Sequence, residues 1–390
     1  MSCSIGVIVL KDVRLPVRKF ASPETIFGSG SIELVGQHAS NLSRRRVLVV
    51  SDQGVREAGW TGVVERSLER SGLEHASFDG VSINPRIEDV MSGSRRYLDE
   101  NCDLIVAVGG GSPMDCAKCI GIVATGGSDI RELEGADAVH IPGPPLICVP
   151  TTAGSSADVS PFAVITDAER GRKMVIISRL LIPELSVIDP DTTMTMDASL
   201  TVSTGMDALV HAIESYVSNA SSPLTDLFAW EAARLITENL PAVHHRPADV
   251  GARENMMLAS LYAGLAFSNA SVGLLHAMAH GLGGLYGSIH GEALSTLLEQ
   301  VIRFNYPCSR ERYDELERAM FGTAGGLESL IDRLNGMMEE LGAGGRPGRC
   351  GLRREDIPRL SENAVRDPCL ATNPRPAKRK DIEVLYERAL

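Results

Sequence analysis

The 390-residue sequence lacks a basic excess: 38 Lys and Arg stand against 50 Asp and Glu, a formal net charge of −12. Binding to a phosphate backbone needs a basic face, so nucleic acid is excluded as the main partner. The short basic runs, Arg44-Arg45-Arg46 and Lys378-Arg379-Lys380, read as solvated edges. No run of about eighteen uninterrupted apolar residues occurs, so no transmembrane helix is expected. The apolar IGVIVL near the start has no basic residues before it and no cleavage pattern after it, so no signal peptide is expected. The eight cysteines are scattered and form no disulfide framework. Cys116 and Cys119 make a C-x-x-C, but within a predicted helix, where they are expected to face the sheet or a neighbouring helix. These absences predict a soluble, reduced, cytoplasmic protein with no membrane partner. Internal repeats and long linkers are missing too.

What is present is a globular composition, 44% apolar and 23% charged, in a chain long enough for two domains. The first half alternates strand and helix. RVLVVSD (46–52) reads as a strand, 54–71 as an amphipathic helix with Val55, Val63, Val64 and Leu68 on one stripe, 75–79 as a strand and 86–100 as a helix. DLIVAVGGG is a strand running into glycines, and Ser112 opens a helix with Pro113 in its first turn. PLICVPTTAGSS is a further buried strand, FAVITDAERGRKMVIIS a β-hairpin, and LSVIDP a last strand. This alternation predicts a parallel sheet with helices on both faces. From about residue 196 the period becomes 3.6 and stays helical to the C-terminus, broken at stretches such as GAGGRPGRCG. The expected architecture is an α/β domain over 1–195 and an all-helical domain over 196–390, with a ligand cleft between them.

The helical half carries a cluster of metal-type donors. Asp207 and His211 lie four apart in TGMDALVHAIE, and His276 and His280 repeat that spacing in LLHAMAHGLGG. Residues four apart on a helix share a face. His290 follows in SIHGEA, past a glycine-rich break. Imidazoles with a carboxylate suit divalent iron or zinc. The bland alternative is a set of polar core histidines. Apolar helices rarely carry so many imidazoles without a ligand to satisfy them.

The α/β half carries a candidate phosphate cradle. Gly109, Gly110 and Gly111 end a strand where a helix opens, so free N–H groups and the helix dipole favour a phosphate there. The alternative is a tight strand-to-helix turn. Asp52, ending the first apolar strand, can accept from a ribose and repel a 2′-phosphate, or simply cap the next helix. Thr151, Thr152, Ser155 and Ser156 can serve a nucleotide or their own backbone. Lys173, alone in the hairpin's second arm, reads more simply as a surface charge.

With these residues laid out, the sequence resembles the iron-containing, or group III, alcohol dehydrogenases. The likeness is collinear over nearly the whole chain: ETIFGSG, VVSDQG, INP, GGGSPMDCAK, PTTAGSSADVS, ITDAERGRK, IDP, TGMDALVHAIESYVS, AFSNASVGLLHAMAHGLGG, IHGEA and NPRP. It implies that Asp207, His211, His276 and His290 hold the metal, Fe2+ with Zn2+ possible, and that His280 faces nicotinamide and substrate. It implies nucleotide-binding positions at Asp52, Asn84, Gly110, Gly111, Ser112, Asp115, Thr151, Thr152, Ser155, Ser160, Val164 and Lys173. It also implies a homodimer or higher homo-oligomer. Three residues depart from the family's pattern: Gly281 and Ile289 replace common prolines, and Leu294 stands where asparagine is frequent.

The expected activity is therefore metal-dependent hydride transfer between a small primary alcohol or aldehyde and NAD(H), which Asp52 favours over NADP(H). Four groups already fill a cage that needs an open position, so His280 is expected to relay a proton or orient the site from outside it. Its alternative is a partner that merely orients a metal-binding side chain. Phe267, Asn269, Leu274 and Leu275 are expected near the ligands or the substrate pocket. Two other readings stand beside this one: a non-catalytic regulatory protein of the same fold, and a lyase resembling dehydroquinate synthase, whose chemistry needs more basic residues than the cleft motifs offer.

Overall fold

The structure is a computed structural model and describes residues 18–43, 45–344 and 350–390. The IGVIVL run, Arg44 and part of the GAGGRPGRCG break lie outside the described residues.

The first half holds strands β1 (Glu24–Phe27), β2 (Arg46–Val50), β3 (Glu74–Phe78), β4 (Leu104–Gly109), β5 (Gly135–Ala136), β6 (Leu146–Pro150), β7 (Phe162–Asp167), β8 (Arg172–Ile177) and β9 (Leu185–Ile188). Six of them form a sheet of order β1-β9-β6-β4-β2-β3, every pair parallel. Its central strands read as unbroken apolar runs because both faces are covered. Alternation divides them: Val47, Val49, Val106 and Val149 enter one core, while Leu48, Val50, Ile105 and Cys148 enter the other. Helices α1 (Val35–Leu42), α2 (Gln53–Glu57) and α3 (Trp60–Arg70) cover the first face; α4 (Ile87–Asp99) and α5 (Gly111–Gly126) cover the second. Cys116 and Cys119 are fully buried on α5, where burial pushes both thiols up.

One expectation about local structure changes. The helix predicted over 54–71 is two helices, broken where Gly59 takes φ 92°, a left-handed conformation that only glycine adopts cheaply. ETIF, read only as a motif, is strand β1, paired with β9 at the sheet edge. The expected hairpin is present as antiparallel β7 and β8, but it belongs to a separate three-stranded sheet with β5.

Among the described residues every α-helix and strand after β9 is helical: α6 (Ala198–Val217), α7 (Pro223–His245), α8 (Val250–Ala270), α9 (Leu274–Tyr286), α10 (His290–Phe321), α11 (Leu327–Glu340), α12 (Ile357–Arg366) and α13 (Arg379–Arg388). Start signals are explicit. Asp197 caps α6 through Leu200 N–H at 2.7 Å, and Ser222 caps α7 with Pro223 at its first position. One core runs through this bundle from Val202 to Tyr386. No single described helix is long and apolar enough to cross a membrane; α8 and α9 reach that length only together, bent by 103°, and their apolar faces are buried in the core.

The parallel strands point their carboxyl ends at one crevice. The chain leaves β2 toward β3 on one side and finds β4 on the other, so a topological switch point lies between β2 and β4. Ligands in open α/β sheets bind beyond the strand ends at such a point. The segments following β2, β4 and β6 are Asp52, Gly110-Gly111 and Thr151-Thr152.

Candidate active site

A cleft of about 870 Å³ opens at that crevice and runs to the helical bundle. All seventeen site residues that the family resemblance implied line it: the twelve nucleotide-type positions, the four metal-type donors and His280; Ser156, also read as a nucleotide candidate, instead donates to the carbonyl of Ser260.

On the α/β side, the glycine turn is tight because two loops abut. A side chain on Gly110 would meet Thr152 at 3.2 Å, and one on Gly111 would meet Ser155 at 3.0 Å. Gly109 takes φ 146° with Pro113 packed against it. The N-terminus of α5 therefore presents bare backbone to the cleft, as an anionic group requires. Ser112 Oγ donates to the carbonyl of Ile83, which ties the Asn84 segment to this turn. Asp115 accepts from Val164 N–H at 3.0 Å, joining two expected positions directly. Burial pushes the Asp115 carboxyl up to about 6, against the pull of Lys118, that N–H and Lys173. Lys173 is not the surface charge that its isolation suggested. It is half-buried, packs against α9 at Gly283, and is pushed down by burial against the pull of Asp115 and Asp207. Asp52 does cap α2, accepting from Val55 N–H at 2.9 Å, and it also lines the cleft, so the two readings of this residue coexist.

On the helical side, Asp207 and His211 come from successive turns of α6, His276 from the first turn of α9, and His290 from the first residue of α10. Asp207 Oδ1 stands 3.6 Å from Nε2 of His211, of His276 and of His290 alike. Two donors about 2.1 Å from a tetrahedral ion stand roughly 3.4 Å apart, so the spacing fits one shared cation. Asp207 Oδ1 and His276 Nε2 are buried with no hydrogen-bond partner. A buried carboxylate oxygen and a buried ring nitrogen left bare side by side are costly unless something binds both. Burial pushes Asp207 up, but His211, His290 and His276 more than offset it and hold the carboxyl well below its usual range. Burial pushes His211 down to about 4, against the pull of Asp207, and likewise holds His290 well below its usual value. Both are then neutral and available as ligands.

Two buried carboxylates behind the cage were not anticipated. Glu214 accepts from His276 Nδ1 at 2.6 Å and from the N–H groups of Gly273 and Leu275 at 3.0 and 2.7 Å. It thus caps α9 and turns His276 at once. The signal was in the sequence: Asp207, His211 and Glu214 follow i, i+4, i+7 on one face. Asp367 accepts from His280 Nδ1 at 2.8 Å across 87 residues, and no local spacing announced it. Asn373, in the NPRP motif, completes the α9 start by accepting from Leu274 N–H at 3.1 Å.

Of the expected pocket residues, Phe267 lines the cleft and stacks on His211 with ring centroids 4.2 Å apart. Asn269 does not approach it; its amide pairs with the backbone of Ala21 at 2.7 and 3.0 Å. Leu274 and Leu275 turn into the helical core, because the histidine face of α9 is the opposite one. The three departures remove no cage group. Gly281 sits inside α9 against Tyr386 and Leu360, Ile289 caps α10, and Leu294 is core.

Fold and cleft together define a dinucleotide-binding α/β half joined to a helical metal-type half, the arrangement of a dehydrogenase. The sequence matches two family models: iron-containing alcohol dehydrogenase over residues 22–190, and the Fe-containing alcohol dehydrogenase family, C-terminal, over residues 201–390. It is 38% identical to 1,3-propanediol dehydrogenase of Klebsiella pneumoniae, over 93% of this chain and 96% of that one. It is 35% identical to NAD-dependent methanol dehydrogenase of Bacillus methanolicus, over 95% and 99%. The crystal structure of a 1,3-propanediol oxidoreductase superposes with a TM-score of 0.92 at 36% identity, covering 96% of this chain and all of that one. The chain belongs to the iron-containing alcohol dehydrogenase family, and it is an oxidoreductase of alcohols and aldehydes.

Proposed function

We propose that the protein is a metal-dependent, NAD(H)-linked dehydrogenase of small primary alcohols, or reductase of the matching aldehydes. The observation that carries this reading is the single carboxylate oxygen of Asp207, unpartnered and 3.6 Å from three imidazole nitrogens. Asp207, His211, His276 and His290 would hold the ion, with iron favoured by the family and zinc acceptable to the donor set. When bound, a divalent cation supplies Lewis acidity to the substrate oxygen and lowers the alcohol's pKa. NAD(H), when bound, supplies the hydride acceptor or donor.

The chain's own groups do the rest. Glu214 holds Nδ1 of His276, which leaves Nε2 facing the cage. Asp367 holds Nδ1 of His280, so Nε2 is the atom left to take or give the alcohol proton. The bare start of α5 and the Thr152–Ser155 loop would cradle the pyrophosphate. Asp52 supports NAD over NADP by repelling a 2′-phosphate. We place the division between the two functional halves near residue 195, in the segment between the last strand and α6. The family resemblance supports a homodimer or higher homo-oligomer, and composition supports the cytoplasm.

Steady-state assays of metal-loaded protein with NADH and NADPH, across short alcohols and aldehydes, test the reading. It fails if no nicotinamide-linked turnover appears on protein shown to contain its metal.

A further inference from the structure

Beside the cage, one wall of the cleft is uncharged. The Phe267 ring that stacks on His211 also meets Phe162, with centroids 5.7 Å apart and planes at 55°. Val272 and Cys369 belong to the same apolar cluster, and all four line the cleft. They arrive from separate segments: the start of β7, the last turns of α8, the turn between α8 and α9, and the 3₁₀ turn Pro368–Thr372. Phe267, Val272 and Cys369 are buried and Phe162 is half-buried.

The wall is also pinned. Lys118, buried under the sheet, donates from Nζ to the carbonyls of Ser160 and Phe162, each at 2.8 Å. Thr372 Oγ1 donates to the carbonyl of Val272 at 2.5 Å, and Cys369 N–H to Asp367 at 2.9 Å. Two of the polar groups flanking the wall are already engaged by the protein. Ser160 Oγ accepts from Lys118 Nζ at 3.3 Å, and Asp367 accepts from His280 Nδ1. Burial, with Asp367 next to it, pushes the Cys369 thiol well up, so it stays neutral.

Resting on the alcohol oxidoreductase reading above, we infer that this wall receives the substrate's carbon chain and selects plain alkyl primary alcohols and aldehydes over diols, hydroxyaldehydes and aldehydes bearing carboxylate or phosphonate. A second hydroxyl on the chain would leave water without a partner on the wall. An apolar pocket rejects an added hydroxyl by up to about a hundredfold and gains about tenfold or more from a methylene that it can bury. An anionic group against the wall would face two phenyl rings, and the lysine that lines the cleft, Lys173, is already drawn on by Asp115 and Asp207. The class differs from the diol that names the Klebsiella relative.

The test is kcat/KM with NAD on the metal-loaded holoenzyme for 1-propanol, 1-butanol, 1,2-propanediol and 1,3-propanediol. The expected result is 1-butanol ahead of either diol by about tenfold to a hundredfold. Phe162→Ser should shrink that ratio severalfold, mainly through KM, with NADH affinity by fluorescence titration unchanged. A diol used as well as 1-butanol by the unmodified enzyme overturns the proposal alone, and needs no variant. An unchanged ratio in Phe162→Ser with NADH binding intact overturns it too. Turnover of none of the four, on protein that holds metal and NADH, overturns the oxidoreductase reading and this proposal with it.

Discussion

His276 Nδ1 and a carboxylate oxygen of Glu214 lie 2.6 Å apart, both buried, and the same carboxylate closes the first turn of α9 through the N–H groups of Gly273 and Leu275. One side chain thus fixes the helix that carries His276 and the tautomer in which His276 reaches the cage.

Glu214→Gln tests that double duty. A glutamine still accepts one hydrogen bond but offers an N–H where a second is needed. Loss of such an orienting partner costs about tenfold to a hundredfold in metal affinity. Competition with a chromophoric chelator measures it, and a thermal melt checks that the fold survives. His276→Ala should lose most of its metal outright by elemental analysis. Wild-type affinity in Glu214→Gln would show that α9 holds His276 without help.

Metal loading should release a proton. Burial pushes His276 down, but the neighbouring carboxylates of Asp207 and Glu214 raise it to about 9, whereas His211 falls to about 4. A raised pKa means that metal-free His276 keeps its proton below pH 9, and an incoming ion must displace it. Affinity should climb by about tenfold per pH unit up to about pH 9 and then level off, with His211 contributing no proton at neutral pH. Calorimetry at pH 7 in buffers of differing ionisation enthalpy should give about one proton per ion. A count near zero would mean that His276 is neutral before metal arrives.

The contrast between Glu214 and Asp367 marks what the sequence made legible. The parallel sheet, the hairpin and the helical half followed from period alone, since buried strands and amphipathic helices carry their environment in their spacing. Asp207, His211 and Glu214 share a helix face, so local spacing could reveal them together. Asp367 reaches His280 only because α12 packs on α9, a tertiary contact with no local signature. Asn269 misled for the same reason: it lies near Phe267 in sequence, but a helix turns neighbours to different sides. The break at Gly59 was hidden because one glycine in an amphipathic stretch is compatible with a continuous helix.

Asp52 should set the choice of dinucleotide. Its Oδ1 is engaged with Val55 N–H, which holds the carboxylate at the end of β2. Asp52→Gly removes the charge, while glycine replaces a good helix cap at a cost of only about a few tenths of a kcal/mol. The variant should fold normally and narrow the preference for NADH over NADPH, measured as kcat/KM for each. A wild-type enzyme that uses NADPH as efficiently as NADH removes this role from Asp52.

His280 separates proton handling from metal holding. It sits one turn beyond His276, its ring stacked on His290 at 5.7 Å, and its Nδ1 is committed to Asp367 at 2.8 Å. Burial pushes Asp367 up, but His280 and Cys369 more than offset this and keep it an anion that fixes the ring. Asp207 Oδ1 already gathers three imidazoles, and a catalytic ion needs one position open for substrate. His280→Ala should therefore keep its metal and lose about tenfold to a thousandfold in kcat, the scale of lost acid–base help. Asp367→Asn should fall between this variant and wild type, since the ring remains but its orientation loosens. Metal content and turnover must come from one preparation. Loss of metal as complete as in His276→Ala would make His280 a ligand, and full turnover with full metal would leave it a structural histidine.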